Sequence, residues 1–209
     1  SKLYHNFFHP LSVTLDENRA LVVWWASVGK TGALRGRLIS DSGRPLAPPF
    51  YVTVQLQHRV FNPTLTRLQN GNVLASWDLH TKRRVKSEVM ARLFSNRARP
   101  LGPAFVVNTY RKGNQVRPTV AALPHGAFAI AWQSDGQDGD GAGVYCQRFR
   151  ANGRHEGGET RVARMIEGDQ LAPRIAGFET DHLLVLWTHR EPSLRQLSMR
   201  VLEPFRFPL

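Results

Sequence analysis

Four prolines, Pro10, Pro63, Pro118 and Pro173, stand 53, 55 and 55 residues apart in this chain. Each is followed fourteen residues later by a tryptophan: Trp24, Trp77, Trp132 and Trp187. Thirteen to sixteen residues further on comes an arginine beside an apolar residue, in Arg37-Leu38, Arg92-Leu93, Arg148-Phe149 and Arg200-Val201. A fixed period near fifty residues predicts a stack or ring of similar supersecondary units.

One unit can be assembled from the pattern. A strand begins at each proline, where a missing N–H breaks no ladder. A polar turn follows, best signalled by Asn70-Gly71 in the second unit. Residues 20–24, 73–77, 128–132 and 183–187 come next. They are apolar on both alternating faces, as in a strand covered on both sides, and five residues is too short for a buried helix. A third strand carries the repeat arginine, on the face shared with Arg35, Met90, Cys146 and Ser198. A fourth follows another turn, at residues 50–53 and 105–108 and more weakly at 160–162. No stretch carries a convincing helical period.

The predicted class is therefore all-β: a β-propeller-like array of four four-stranded antiparallel units. The units run over about 10–57, 58–112, 113–168 and 169–209 of a single repeat domain. The last is short at its end, so residues 1–9, with Lys2, Leu3 and Tyr4, are candidates to complete it and close a four-bladed ring. The alternatives are an open stack, or half of a larger propeller completed by a second chain, a homodimer. Closure of either ring would hide open sheet edges.

Composition narrows the function classes. The chain has 209 residues, 42% of them hydrophobic, and five tryptophans, enough for one sizeable core. No run of eighteen apolar residues occurs, which rules out a transmembrane helix. The single cysteine, Cys146, excludes an internal disulfide and a thiolate zinc cluster, and its place in a strand marks it as a buried small residue rather than a nucleophile. Net charge is +12, and residues 58–112 hold eleven Lys/Arg against Asp78 and Glu88. Such a field favours anionic partners such as nucleic acid, acidic glycans or a membrane surface.

The third unit reads Trp132-Gln-Ser-Asp-Gly-Gln-Asp-Gly-Asp-Gly-Ala-Gly-Val-Tyr-Cys-Gln-Arg-Phe149, followed by Asn152-Gly153. With the link at 105–109 and Asn114-Gln115, it resembles a repeat of large bacterial surface and secreted proteins, including calcium-associated, adhesin-like ones. The resemblance covers residues 105–153. It implies a secreted or cell-surface, lectin-like or adhesin-like binding and display domain, and it transfers no catalytic residues.

The candidate site residues follow from charge and position. Lys82, Arg83, Arg84 and Lys86 form a basic loop for an anionic partner, by salt-sensitive contacts if the partner is nucleic acid. Asp135, Asp138 and Asp140, spaced by glycines, are the candidate ligands for calcium, the only cofactor suggested. Trp25, beside Trp24 and on the opposite face, is the aromatic placed at the surface; the repeat tryptophans are placed in the core. The repeat arginines are read as packing between units. Asp16, Asp41, Asp78 and Glu88 are the carboxylates available to a glycan-processing enzyme, and nothing in their spacing pairs them. The leading expectation is a non-enzymatic module whose inter-strand loops recognise a protein or glycan. A basic propeller binding nucleic acid or another polyanion, and a glycan-processing enzyme, are the alternatives.

Overall fold

The computed structural model describes residues 10–28, 31–53, 59–80 and 86–204. One antiparallel sheet forms from each repeat, its strands in sequence order. The first holds β1 (Leu11–Asp16), β2 (Arg19–Val28), β3 (Thr31–Ser40) and β4 (Phe50–Tyr51). The second holds β5 (Arg59–Arg67), β6 (Val73–His80), β7 (Ser87–Phe94) and β8 (Phe105–Val106). The third holds β9 (Gln115–Ala122), β10 (Phe128–Asp135), β11 (Ala142–Phe149) and β12 (His155–Arg161). The fourth holds β13 (Asp169–Gly177), β14 (Leu183–Glu191) and β15 (Leu194–Leu202). This is the β-propeller class of architecture. Among the described residues no helix is long and apolar enough to cross a membrane.

Pro63 and Trp77 lie fourteen residues apart because they face each other across a hairpin. Phe61 pairs with Asp78 and Thr64 with Ser76, so Asn62 and Pro63 together oppose Trp77. The same two-against-one bulge sets Arg117 and Pro118 opposite Trp132, and Ala172 and Pro173 opposite Trp187. The residue before each proline takes a positive φ: 45° at Asn62, 55° at Arg117 and 51° at Ala172. Such a bulge takes one residue out of the ladder, which accommodates the proline's missing N–H within a strand. Three of the four first strands therefore begin at Arg59, Gln115 and Asp169, upstream of the proline expected to start them. The third unit's last strand, read as weak, is the seven-residue β12.

Three apolar clusters lie between the sheets. Leu21, Val23 and Trp25 of the first sheet meet Val73, Ala75 and Trp77 of the second. Leu74 and Ala91 of the second meet Phe128, Ile130 and Trp132 of the third. Ala129, Ala131 and Cys146 of the third meet Leu183, Val185 and Trp187 of the fourth. The central strands β6 and β10 are buried along almost all of both faces, as their two-sided apolar runs require.

The first strands line up in the order β1, β5, β9, β13, each packed on the next. Among the described residues β13 shows no comparable packing on β1. The closed four-bladed ring is thus not formed by them, and residues 1–9, expected to help close it, lie outside the described residues. The β9–β13 approach is close enough to demand glycine. A Cβ on Gly177 would fall inside van der Waals contact with the carbonyl oxygen of Ala122. Gly177→Ala is expected to force the two strands apart and cost about 1–3 kcal/mol, as overpacking does. A urea midpoint unchanged from the wild type would refute that reading.

The repeat arginine also divides. Arg92, opposite Ala75, donates to the carbonyl of Val52 in the preceding sheet at 3.2 Å. Arg200, opposite Val185, reaches the carbonyl of Val162 in the same way at 2.9 Å. Arg37 holds the matching register opposite Val22. In the third sheet that register belongs to Gln147, because Arg148 stands opposite Ala129. Arg148 and Cys146 therefore point to the other face from the one expected. Arg148 reaches forward to the fourth sheet, donating to the Asp181 carboxylate at 2.8 Å and to the Asp181 and Glu203 carbonyls. Both arrangements tie neighbouring sheets together, as expected of arginines in the structural frame.

Candidate functional site

The ends of the second strands and the starts of the third strands lie at one rim of the array, with the beginnings of β5, β9 and β13. The third-sheet loop closes on itself through a hydrogen bond from the Gly136 N–H to the Gly141 carbonyl at 2.7 Å. Gly136, Gly139 and Gly141 have φ of 69°, 101° and 50°, which supply the turns.

The three loop aspartates diverge. Asp135 accepts from the Asn114 amide at 3.0 Å. Asp138 turns inward beside Gly143, its two carboxylate oxygens buried without a hydrogen-bond partner. Burial first, then the Asp138 charge, pushes the nearby Tyr145 phenol up to about 12. Asp140 accepts from the Gly168 N–H at 3.1 Å, bridging to the fourth sheet. Among the described residues no three His, Cys, Asp or Glu side chains gather as a metal site would need.

Between this loop and the Pro192-Ser193 turn of the fourth sheet lies a cleft of about 570 Å³. Asp140, Asp169 and Glu191 contribute acids to it, Arg190 and Arg195 contribute guanidinium groups, and Ser193 contributes a hydroxyl. The cleft is within the range of small-ligand sites. Several of its polar groups are held in place. Asp169 takes hydrogen bonds from the Ala142 N–H at 3.1 Å and from Nε and Nη2 of Arg190. The Arg190 bonds hold its carboxyl below the usual carboxylate range. Glu191 is bonded to the buried His189 at 2.9 Å. The sequence pattern did not reveal Asp169, Arg190 and Arg195, because they carry no repeat signature; only folding brings positions 140, 169 and 190–195 together.

The other candidates are dispersed. Lys82, Arg83 and Arg84 lie outside the described residues. Lys86 is exposed at the same rim, and its ammonium lies 3.5 Å from the Arg111 carbonyl oxygen. Trp25 corrects its expected place at the surface: it is half-buried and packs on the first interior cluster. Its face is the one the second sheet covers, which leaves Trp24 on the outer face. Asp16 pairs with Arg19, Asp41 is exposed in a turn, and Glu88 pairs with Arg111 at 2.9 Å. Asp78 is fully buried and accepts from Asn62, His80 and the Arg117 N–H. None of these four faces another. The Cys146 thiol is pushed up to about 12 by burial and is not a poised nucleophile.

These features define a β-propeller-type array with a polar cleft between two sheets at its loop rim. No family model matches the chain, and no curated protein matches it. Solved structures do. An endo-arabinase from Bacteroides thetaiotaomicron is similar at 12% identity, with a TM-score of 0.52 over 95% of this chain and 75% of that one. A polysaccharide lyase of family PL25, an ulvan lyase, is similar at 14% identity and TM-score 0.63, over 92% of this chain and 52% of that one. A protein of unknown function from Dyadobacter fermentans gives 12% identity and TM-score 0.63, over 90% and 50%. The chain thus spans about half the length of the last two. At these identities the likeness is one of fold.

Proposed function

We propose that the chain is a non-catalytic glycan-binding module that holds a polyhydroxylated ligand in the cleft between the third and fourth sheets. The observation that carries this is the gathering of acceptors and donors in one cleft, Asp140, Asp169 and Glu191 with Arg190, Arg195 and Ser193, where Asp169 and Arg190 fix each other. Carboxylates and guanidinium groups offer paired, directional hydrogen bonds, which suit vicinal hydroxyls. Retaining or inverting glycoside hydrolysis generally needs a carboxylic acid of raised pKa facing a second carboxyl. Asp169 is shifted the opposite way, held ionised by Arg190. That suits holding a ligand better than protonating a leaving group. Propeller neighbours that are named for acting on glycans support the ligand class, as does the adhesin-like repeat resemblance at 105–153.

The test is titration calorimetry against neutral and uronic oligosaccharides, with a parallel assay for new reducing ends and unsaturated uronates. Binding is expected without product formation. Asp140→Asn and Arg195→Ala are each expected to weaken it at least about tenfold, or ~1.4 kcal/mol. Affinity unchanged in both variants, or no binding to any glycan, would sink the cleft as the site. Product release by the wild type would instead establish a glycan-processing enzyme.

A further inference from the structure

Every interior junction in the molecule joins the same two kinds of sheet face. The forward face of one sheet, such as Leu74 and Ala91, receives the tryptophan face of the next, such as Phe128, Ile130 and Trp132. Among the described residues, one face of each kind is left without a neighbouring sheet, at opposite ends of the array. On the fourth sheet, Leu184 pairs with Val201, Leu186 with Met199 and Thr188 with Leu197. This apolar ladder faces away from the third sheet, and Leu197, Met199 and Val201 are 75%, 70% and 51% exposed. On the first sheet, Trp24 and Val22 are half-buried on the face turned away from the second sheet. Arg37 lies opposite Val22 there, in the register from which Arg92 and Arg200 bond to the preceding sheet. Arg35 stacks on the exposed Tyr51 ring at 5.2 Å, and its buried Nε has no hydrogen-bond partner.

We propose that these two faces are one interface, and that its occupant is a second copy of this chain. The Trp24 face of one copy would seat on the Leu197–Met199–Val201 ladder of its partner, continuing the junction made three times inside each copy. A head-to-tail contact of this kind either closes into a ring or grows into a filament. Two copies bring two equal contacts, so a closed pair leaves neither end face wet. Apolar ladders of this extent are uncommon on the free surface of a monomer and mark association sites. Two of the similar folds, the ulvan lyase and the Dyadobacter protein, are about twice this chain's length, the size a pair of copies would reach.

The experiment is light scattering coupled to size exclusion, with circular dichroism to confirm folding of each variant. The wild type is expected at twice 23.6 kDa. Met199→Glu and Trp24→Glu, on opposite faces, are each expected to run as folded monomers. Mixed together, the two variants keep one intact Trp24 face and one intact ladder between them. They are therefore expected to recover a dimer that neither forms alone. A monomeric wild type at tens of micromolar would overturn the proposal. So would a Trp24→Glu variant that stays dimeric, since two ladders would then be pairing with each other. Filaments in place of a pair would overturn closure, and failure of the mixture to associate would overturn the head-to-tail contact.

Discussion

Trp132→Ala is expected to cost about 3–5 kcal/mol of unfolding free energy, the range for emptying a core aromatic site. Trp132 is fully buried between the second and third sheets, among Leu74, Phe128, Ile130 and Phe149. The Phe128 and Phe149 rings of the same cluster are stacked at 5.0 Å. The loss is also polar. The indole N–H donates to the side-chain oxygen of Gln115 at 3.1 Å, and Gln115 is itself 1% exposed. A domain of this size shifts its Tm by roughly 2–4 °C per kcal/mol, so the melt should fall by about 6–20 °C. Trp132→Phe keeps most of the ring volume and should recover more than half of that loss. A Trp132→Ala melt within about 2 °C of the wild type would show that the three interior clusters do not hold the array together.

Asp78→Ala is the second large effect, expected at about 3 kcal/mol. Asp78 is fully buried at the end of β6 and is a hub for groups of two sheets. One carboxylate oxygen accepts from the Asn62 amide at 3.0 Å and from His80 at 3.1 Å. The other accepts from the Arg117 N–H at 3.3 Å. Asn62 and Arg117 are the bulge residues of the second and third sheets, held at positive φ. One carboxylate therefore ties the bulge residues of two neighbouring sheets, through the Asn62 side-chain amide and the Arg117 backbone N–H. Removing it takes a charged acceptor from three part-buried hydrogen bonds, at about 1 kcal/mol each where water can take its place. Asp78→Asn keeps one acceptor oxygen and should lose roughly half as much. Equal urea midpoints for wild type, Asp78→Asn and Asp78→Ala would show that the bulges stand without this carboxylate.

Both effects rest on features that are legible in the chain to different degrees. Trp132 could be assigned to a core because 128–132 is apolar on both alternating faces, and only a strand covered on both sides tolerates that. The hub role of Asp78 could not be read. Its partners stand sixteen and thirty-nine residues away, and the distance closes only when two bulged strands pack side by side. The rim cleft was hidden for the same reason. Asp140, Asp169 and Arg195 belong to two different units and share no spacing rule. Trp25 was misplaced because alternation says which residues share a face, and says nothing of which face a neighbour covers.

The repeat, the strand meander and the burial of three repeat tryptophans can be read from the chain alone. Those depend on local alternation and on a period that turns and prolines impose on any chain carrying them. The bulge that sets proline against tryptophan, the forward turn of Arg148 and the gathering of the cleft emerge only when the sheets pack. So does the arrangement in which, among the described residues, the two end faces carry no neighbouring sheet. These are matters of relative placement between units, set by packing over distances that no local pattern encodes.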